Sequence, residues 1–198
     1  MEEKDFSYED SIKLIDAMIK KAKKSYVTKG IASIVWGILI IVCSLITWAK
    51  IQFSFNIGFD IWVLVFFAIF PQIFFSIKEK RQRKFTSLEA HAINYVWMAF
   101  GISIFLFTYY NSKYGTAESG TIFMILYGVP TFITGAIVKF KPMLFGGIIC
   151  WIISIISVST PVNIDMLLMA SCGLFAWLIP GIILFSRYQK RKIQQDGV

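Results

Sequence analysis

Six times between residues 30 and 186 the chain runs for 18 to 21 residues with almost no formal charge: 30–49, 58–77, 91–110, 120–138, 142–159 and 166–186. Asp60 is the single Asp, Glu, Lys or Arg in all six. A helix rises about 1.5 Å per residue, so each run matches the roughly 20 residues that cross about 30 Å of hydrocarbon. Inside hydrocarbon every backbone group must be satisfied within the chain, and long uninterrupted runs meet that demand as helices, whereas a barrel needs short alternating segments. The runs are joined by five loops of 3 to 13 residues, too short for a soluble catalytic or binding domain. Composition agrees: 57% of residues are hydrophobic and 16% charged, against about 25% charged in a soluble domain. The expected fold is an all-α membrane protein of six transmembrane helices over residues 30–186, between a segment 1–29 and a basic tail 187–198.

The cations give that bundle an orientation. Eighteen of the twenty Lys and Arg fall in residues 1–29, the loop after the second run, the loop after the fourth and the tail; only Lys50 and Lys113 lie on the other side. With six spans both termini share a side, and the positive-inside bias places that side in the cytoplasm. The expected location is the cytoplasmic (inner) cell membrane, with the mature chain beginning near Met1 because the lysines before the first run are not followed by a cleavage site. The net charge of +8 then serves anionic lipid headgroups rather than nucleic acid, since the charges sit at helix ends beside the membrane.

Residues 8–24 differ from the spans. Ser7 and Asp10 have the spacing of a capping box, with Glu9 and Asp10 in the first turn, where the helix dipole favours negative charge. Ile12, Ile15, Ile19 and Ala22 share one face, while Lys13, Asp16, Lys20 and Lys24 lie largely elsewhere, so the spacing predicts an amphipathic cytoplasmic helix that docks on lipid or on a protein partner. Small residues four apart, Ser33/Gly37, Ala99/Ser103, Thr131/Gly135 and Gly146/Cys150/Ser154, predict close helix packing, within the chain or in a homo-oligomer.

Pro71, Pro130 and Pro180 each fall in a run of even number, seven to nine residues before the next cytoplasmic cation, and are expected to kink those helices. Tryptophan stands near glycine in the odd runs, at Trp36, Trp97 and Trp151. The pattern is that of three helical hairpins, related as parallel repeats about an axis along the membrane normal.

Catalytic equipment is missing. Cys43, Cys150 and Cys172 all lie in spans and form no Cys/His spacing, so neither a disulfide framework nor a zinc site is expected, and no cofactor is implied. His91 is the one histidine; no HExxH, GxSxG or GxxxxGK[ST] occurs. An integral-membrane enzyme would have to use His91 as its base, without the orienting partner such a base needs. Coupled carriers place charge within the membrane, and these spans carry none at depth. The polar residues that remain, Gln72, His91, Asn94, Thr131 and Thr134, are candidates for an inward-facing polar vestibule beside the prolines; their other use is hydrogen bonding between helices.

Three stretches, SYEDSIKLIDAMIKKAKKSY (7–26), YGVPTFITGAIVKFKPMLFGGIICWIISI (127–155) and LIPGIILFSRYQKRK (178–192), resemble an uncharacterised family of bacterial membrane proteins of the Bacteroidota type. The resemblance spans nearly the whole chain and implies a six-span protein in a regulatory rather than enzymatic setting; it brings no active-site residue with it. The sequence thus points to a non-enzymatic protein acting through lipids or protein partners, with a small-solute transporter or channel as the alternative.

Overall fold

The structure, a computed structural model, describes residues 30–82, 88–115 and 119–196; the amphipathic helix expected over residues 8–24 lies outside them. Helices α1 (Ile31–Phe53), α2 (Val63–Gln82), α3 (Leu88–Tyr114), α4 (Ser119–Ile137), α5 (Lys141–Ser157), α6 (Val162–Gly173) and α7 (Ile179–Asp196) follow one another, with a π-helical segment, Leu174–Leu178, joining the last two into one rod. No strand occurs among the described residues. Helices α1, α3 and α4, and the rod over Val162–Lys190, are each long and apolar enough to cross a membrane; α5 is an apolar helix of 17 residues.

Helix ends differ from the sequence expectation, most of all in the second, third and last helices, and the first runs on to Phe53 instead of ending at 49. The second helix begins at Val63 rather than 58, because Asp60 ends the preceding loop: its carboxylate accepts the Trp62 N–H at 3.0 Å and its carbonyl the Val63 N–H at 3.1 Å. Asp60 is therefore an exposed residue outside the helix, and the one charge assigned to a span leaves it. The third helix starts three residues early and runs on to Tyr114. The last rod starts at Val162, after Pro161 in extended conformation, and continues through the tail to Asp196. Proline before a first turn is favoured because its fixed φ and missing N–H cost the helix nothing there.

Packing is uneven. Helices α4 and α5 form the closest pair, folded back by a short turn in which Lys139 takes φ +53° and the Phe140 N–H reaches the Gly135 carbonyl at 2.8 Å. Their seam is lined with glycine: a Cβ on Gly147 would stand 2.7 Å from the Cβ of Phe132. Helix α1 runs antiparallel to the α6–π–α7 rod, with Gly37 against the Leu178 backbone and Gly173 against Ile40 and Ile41. The small pairs at Gly37, Thr131/Gly135 and Gly146/Cys150/Ser154 are buried in these seams, whereas Ala99 and Ser103 are exposed. With little hydrophobic drive between helices in lipid, such backbone approach supplies the dispersion contacts that hold a bundle together. Among the described residues, α2 approaches only α1 at backbone level, and α3 only α4.

Candidate functional site

The centre of the bundle is built on Trp177, carried by the π segment and 4% exposed. Its ring meets Tyr127 of α4 at 5.0 Å between centroids, Trp97 and Phe100 of α3 at 6.2 and 6.4 Å, and Trp36 of α1 at 6.5 Å. Edge-to-face and tilted pairs of this kind put positive ring edges against negative faces. The indole N–H of Trp177 donates to the Thr131 hydroxyl at 2.9 Å, and that hydroxyl donates to the Tyr127 carbonyl at 2.8 Å. A hydroxyl has one proton, so both of Thr131's principal hydrogen bonds are already made inside the protein.

The five vestibule candidates do not share one space. Gln72 of α2 accepts the Trp36 indole N–H at 3.2 Å, and Trp36 touches Trp177, so Gln72 and Thr131 stand at the two ends of a line Gln72–Trp36–Trp177–Thr131. Thr134 is buried one turn further along α4, and its hydroxyl has no hydrogen-bond partner among the described residues. His91 and Asn94 are exposed on α3, which turns Ala90, Ile93 and Trp97 towards its neighbours instead. Of the three prolines, Pro130 is buried inside α4, Pro180 is fully buried at the start of α7, and Pro71 lies within α2. An open cleft of about 440 Å³ exists elsewhere, between Ile46, Thr47, Lys50, Asn56, Asp60 and Trp62 at the α1–α2 loop.

A second polar cluster escapes the sequence reading altogether. Asp165, in the first turn of α6, is 5% exposed and accepts the Ser157 hydroxyl of α5, while Thr121 of α4 lies 2.6 Å from the Ser157 oxygen. Since Ser157 commits its proton to the carboxylate, Thr121 is the donor to Ser157. The free amides of the first helical turn favour a carboxylate there. Gly120 makes room for it, because a Cβ at that position would overlap Asp165 Oδ2. Apolar periodicity stops at Met166, which left Asp165 looking like a loop residue. The signal that finds it is Pro161, which moves the helix start back by four residues and puts Asp165, Met169 and Cys172 on one face.

Replacing Asp165 by alanine removes the acceptor for the buried Ser157 hydroxyl, and the expected loss is about 1–3 kcal/mol of stability. Asp165→Asn keeps a carbonyl oxygen in place and should lose less. Unfolding in detergent, followed by exposure of the buried thiols to a fluorogenic maleimide, measures both; equal midpoints for the wild type and Asp165→Ala would refute the acceptor role.

Among the described residues no group of three or more His, Cys, Asp or Glu is arranged to hold a metal ion. Compared with known proteins, the chain matches no family model, no curated protein and no solved structure.

Proposed function

We propose that the chain is a non-enzymatic, six-span protein of the cytoplasmic membrane, with both termini in the cytoplasm, which works by binding lipids or a protein partner. The observation that carries this reading is the uneven packing. Among the described residues, helices α2 and α3 each lean on a single neighbour at backbone level, and they turn Phe66, Phe67 and Phe70, and Tyr95, Met98 and Phe105, outward. Apolar faces of this extent are covered by lipid or by another membrane protein. The amphipathic segment 8–24 and the eighteen cations on one side would add a cytoplasmic contact to anionic headgroups or to the same partner. A homo-oligomer through the exposed Ala99/Ser103 pair is one form such a partner takes. The threefold hairpin pattern is a weaker element of the reading, because the three hairpins are not packed alike.

Deleting residues 1–24 tests the proposal in cells. Insertion, read from the accessibility of tagged loops, should persist, and crosslinking to the partner should disappear; unchanged crosslinking would overturn the assignment of the contact to this segment. The alternative reading is a small-solute transporter or channel with an inward-facing polar site, in which Gln72 and Thr131 would have to exchange their tryptophan partners for the solute. Solute flux into proteoliposomes that falls in Gln72→Leu and Thr131→Val would replace the first reading with the second.

A further inference from the structure

Three helices bring their sulfur-bearing side chains to one place. On α6, Asp165, Met169 and Cys172 recur at spacings of four and three, which is one helical face, and they are 5%, 2% and 0% exposed. Cys150, Ser154 and Ser157 repeat that spacing on α5, and all three are buried. The two helices run in opposite directions, with Ser157 meeting Asp165 at one end of the seam and Gly146 standing against Ala176 at the other, so Cys150 and Cys172, each seven residues in from the polar end, fall at the same level between them. Helix α4 contributes Thr121 beside Ser157 and Met124, which is fully buried. The result is a graded column: a carboxylate and two hydroxyls at the α5–α6 turn, then thioethers, then a thiol pair. Met124, Met166, Met169, Cys150 and Cys172 belong to one buried cluster with Tyr127 and Trp177.

Five sulfurs in one buried cluster are a selective set of donors. Thiolate and thioether are soft ligands that favour Cu(I), whereas Zn(II) and harder divalent ions want imidazole, carboxylate or several thiolates. Among the described residues no group of three or more His, Cys, Asp or Glu could hold such an ion. Charge decides in the same direction. A divalent ion leaves net charge in a low-dielectric interior unless two thiolates form, and uncompensated buried charge is costly. A monovalent ion needs one. One cysteine loses its S–H proton to solvent and binds the metal as thiolate, the two thioethers bind through lone pairs, and the other cysteine keeps its proton as a thiol that donates to the thiolate; neither metal nor sulfur changes oxidation state, so the pocket stays neutral.

We propose that Cys150 and Cys172, completed by the thioethers of Met124 and Met169, form a binding site for a soft monovalent metal ion, Cu(I) or its analogue Ag(I). Cys43 is no part of it: its thiol faces the Ile61 carbonyl at 3.7 Å, and it lies outside the cluster. The site goes beyond the proposed function and stands or falls independently of it, because its test needs no partner.

The test is an anaerobic titration of the full-length, reduced protein in detergent with Cu(I), in competition with a chromogenic Cu(I) chelator. One ion per chain is expected. Loss of outer ligand partners alone weakens metal sites by about 10–100-fold, so Cys150→Ser/Cys172→Ser should weaken binding by on the order of 100-fold or more, and Met124→Leu/Met169→Leu by about tenfold. Cys43→Ser should leave the affinity unchanged. X-ray absorption of the wild-type complex should show sulfur scatterers alone around the metal, which keeps the proposal testable if the double cysteine variant does not fold. No retention of Cu(I) against the chelator, nitrogen or oxygen in the first coordination sphere, or a Cys43→Ser loss equal to that of the pair would each overturn it.

Discussion

Trp177→Ala should lower the unfolding free energy by about 3–5 kcal/mol, the usual cost of emptying a large buried aromatic site, and the midpoint of thermal unfolding in detergent should fall by on the order of 10 °C. Two effects add. The ring holds together side chains of α1, α3 and α4, and its N–H satisfies Thr131, which is fully buried. Trp177→Phe separates them: the ring contacts persist in part while the hydrogen bond is lost, so its cost should be the smaller. The three buried cysteines make the measurement direct, because a thiol-reactive dye reports the moment the core opens. A Trp177→Ala midpoint no lower than that of Trp97→Ala, at the half-buried edge of the same cluster, would show that Trp177 is not the hub.

Gly37→Leu is expected to do comparable damage by the opposite route. A Cβ at Gly37 would stand 2.7 Å from the backbone nitrogen of Leu178, and a backbone atom cannot rotate out of the way as a side chain can. Helix α1 must then lift from the α6–π–α7 rod along its length. Overpacking in cores costs about 1–3 kcal/mol; here the upper end is expected, together with a collapse of crosslinking between cysteines engineered into α1 and the rod. Gly101→Leu is the internal comparison, since nothing lies within 4 Å of a Cβ built there. Equal effects of the two substitutions would sink the argument that α1 is seated by close backbone approach.

The helices were legible in the sequence wherever charge and length decide, as in the runs 30–49 and 120–138, which fold as Ile31–Phe53 and Ser119–Ile137, because a bilayer-length apolar run has one backbone solution. Ends were less legible, since they depend on local chemistry that hydropathy does not weigh. Asp60 begins a helix by capping it, and Pro161 begins another by being harmless there. The candidate site was legible only in part. Thr131 and Gln72 do lie inward, yet each is held by a tryptophan, and nothing in a linear text says which indole will reach which oxygen. His91 and Asn94 were chosen for polarity, but the apolar face of α3 that turns inward is Ala90, Ile93 and Trp97, which leaves the two polar residues outside. Asp165 was missed for a related reason: its partner Ser157, and Thr121 that donates to Ser157, come from two other helices. The sulfur cluster likewise exists only in the fold, since Met124, Cys150 and Cys172 are far apart in the chain.

The five-residue π segment gives the last rod a property no purely α-helical segment would have. In α geometry each residue advances the helix by about 100°, so the face that carries Asp165, Met169 and Cys172 would continue beyond Trp177 in a fixed phase. The wider turn resets that phase, and Pro180 and Gly181 come round to be buried, Gly181 beside Ile34 of α1. The rod is therefore two continuous helical stretches whose registers are offset by the π segment. A one-residue deletion within Leu174–Leu178 would restore the ordinary period and swing all of α7 by roughly a quarter turn, detaching it from α1 while the polar and sulfur column of α6 stayed in place. In genetic terms the segment is a joint at which a single codon re-indexes one half of the bundle against the other.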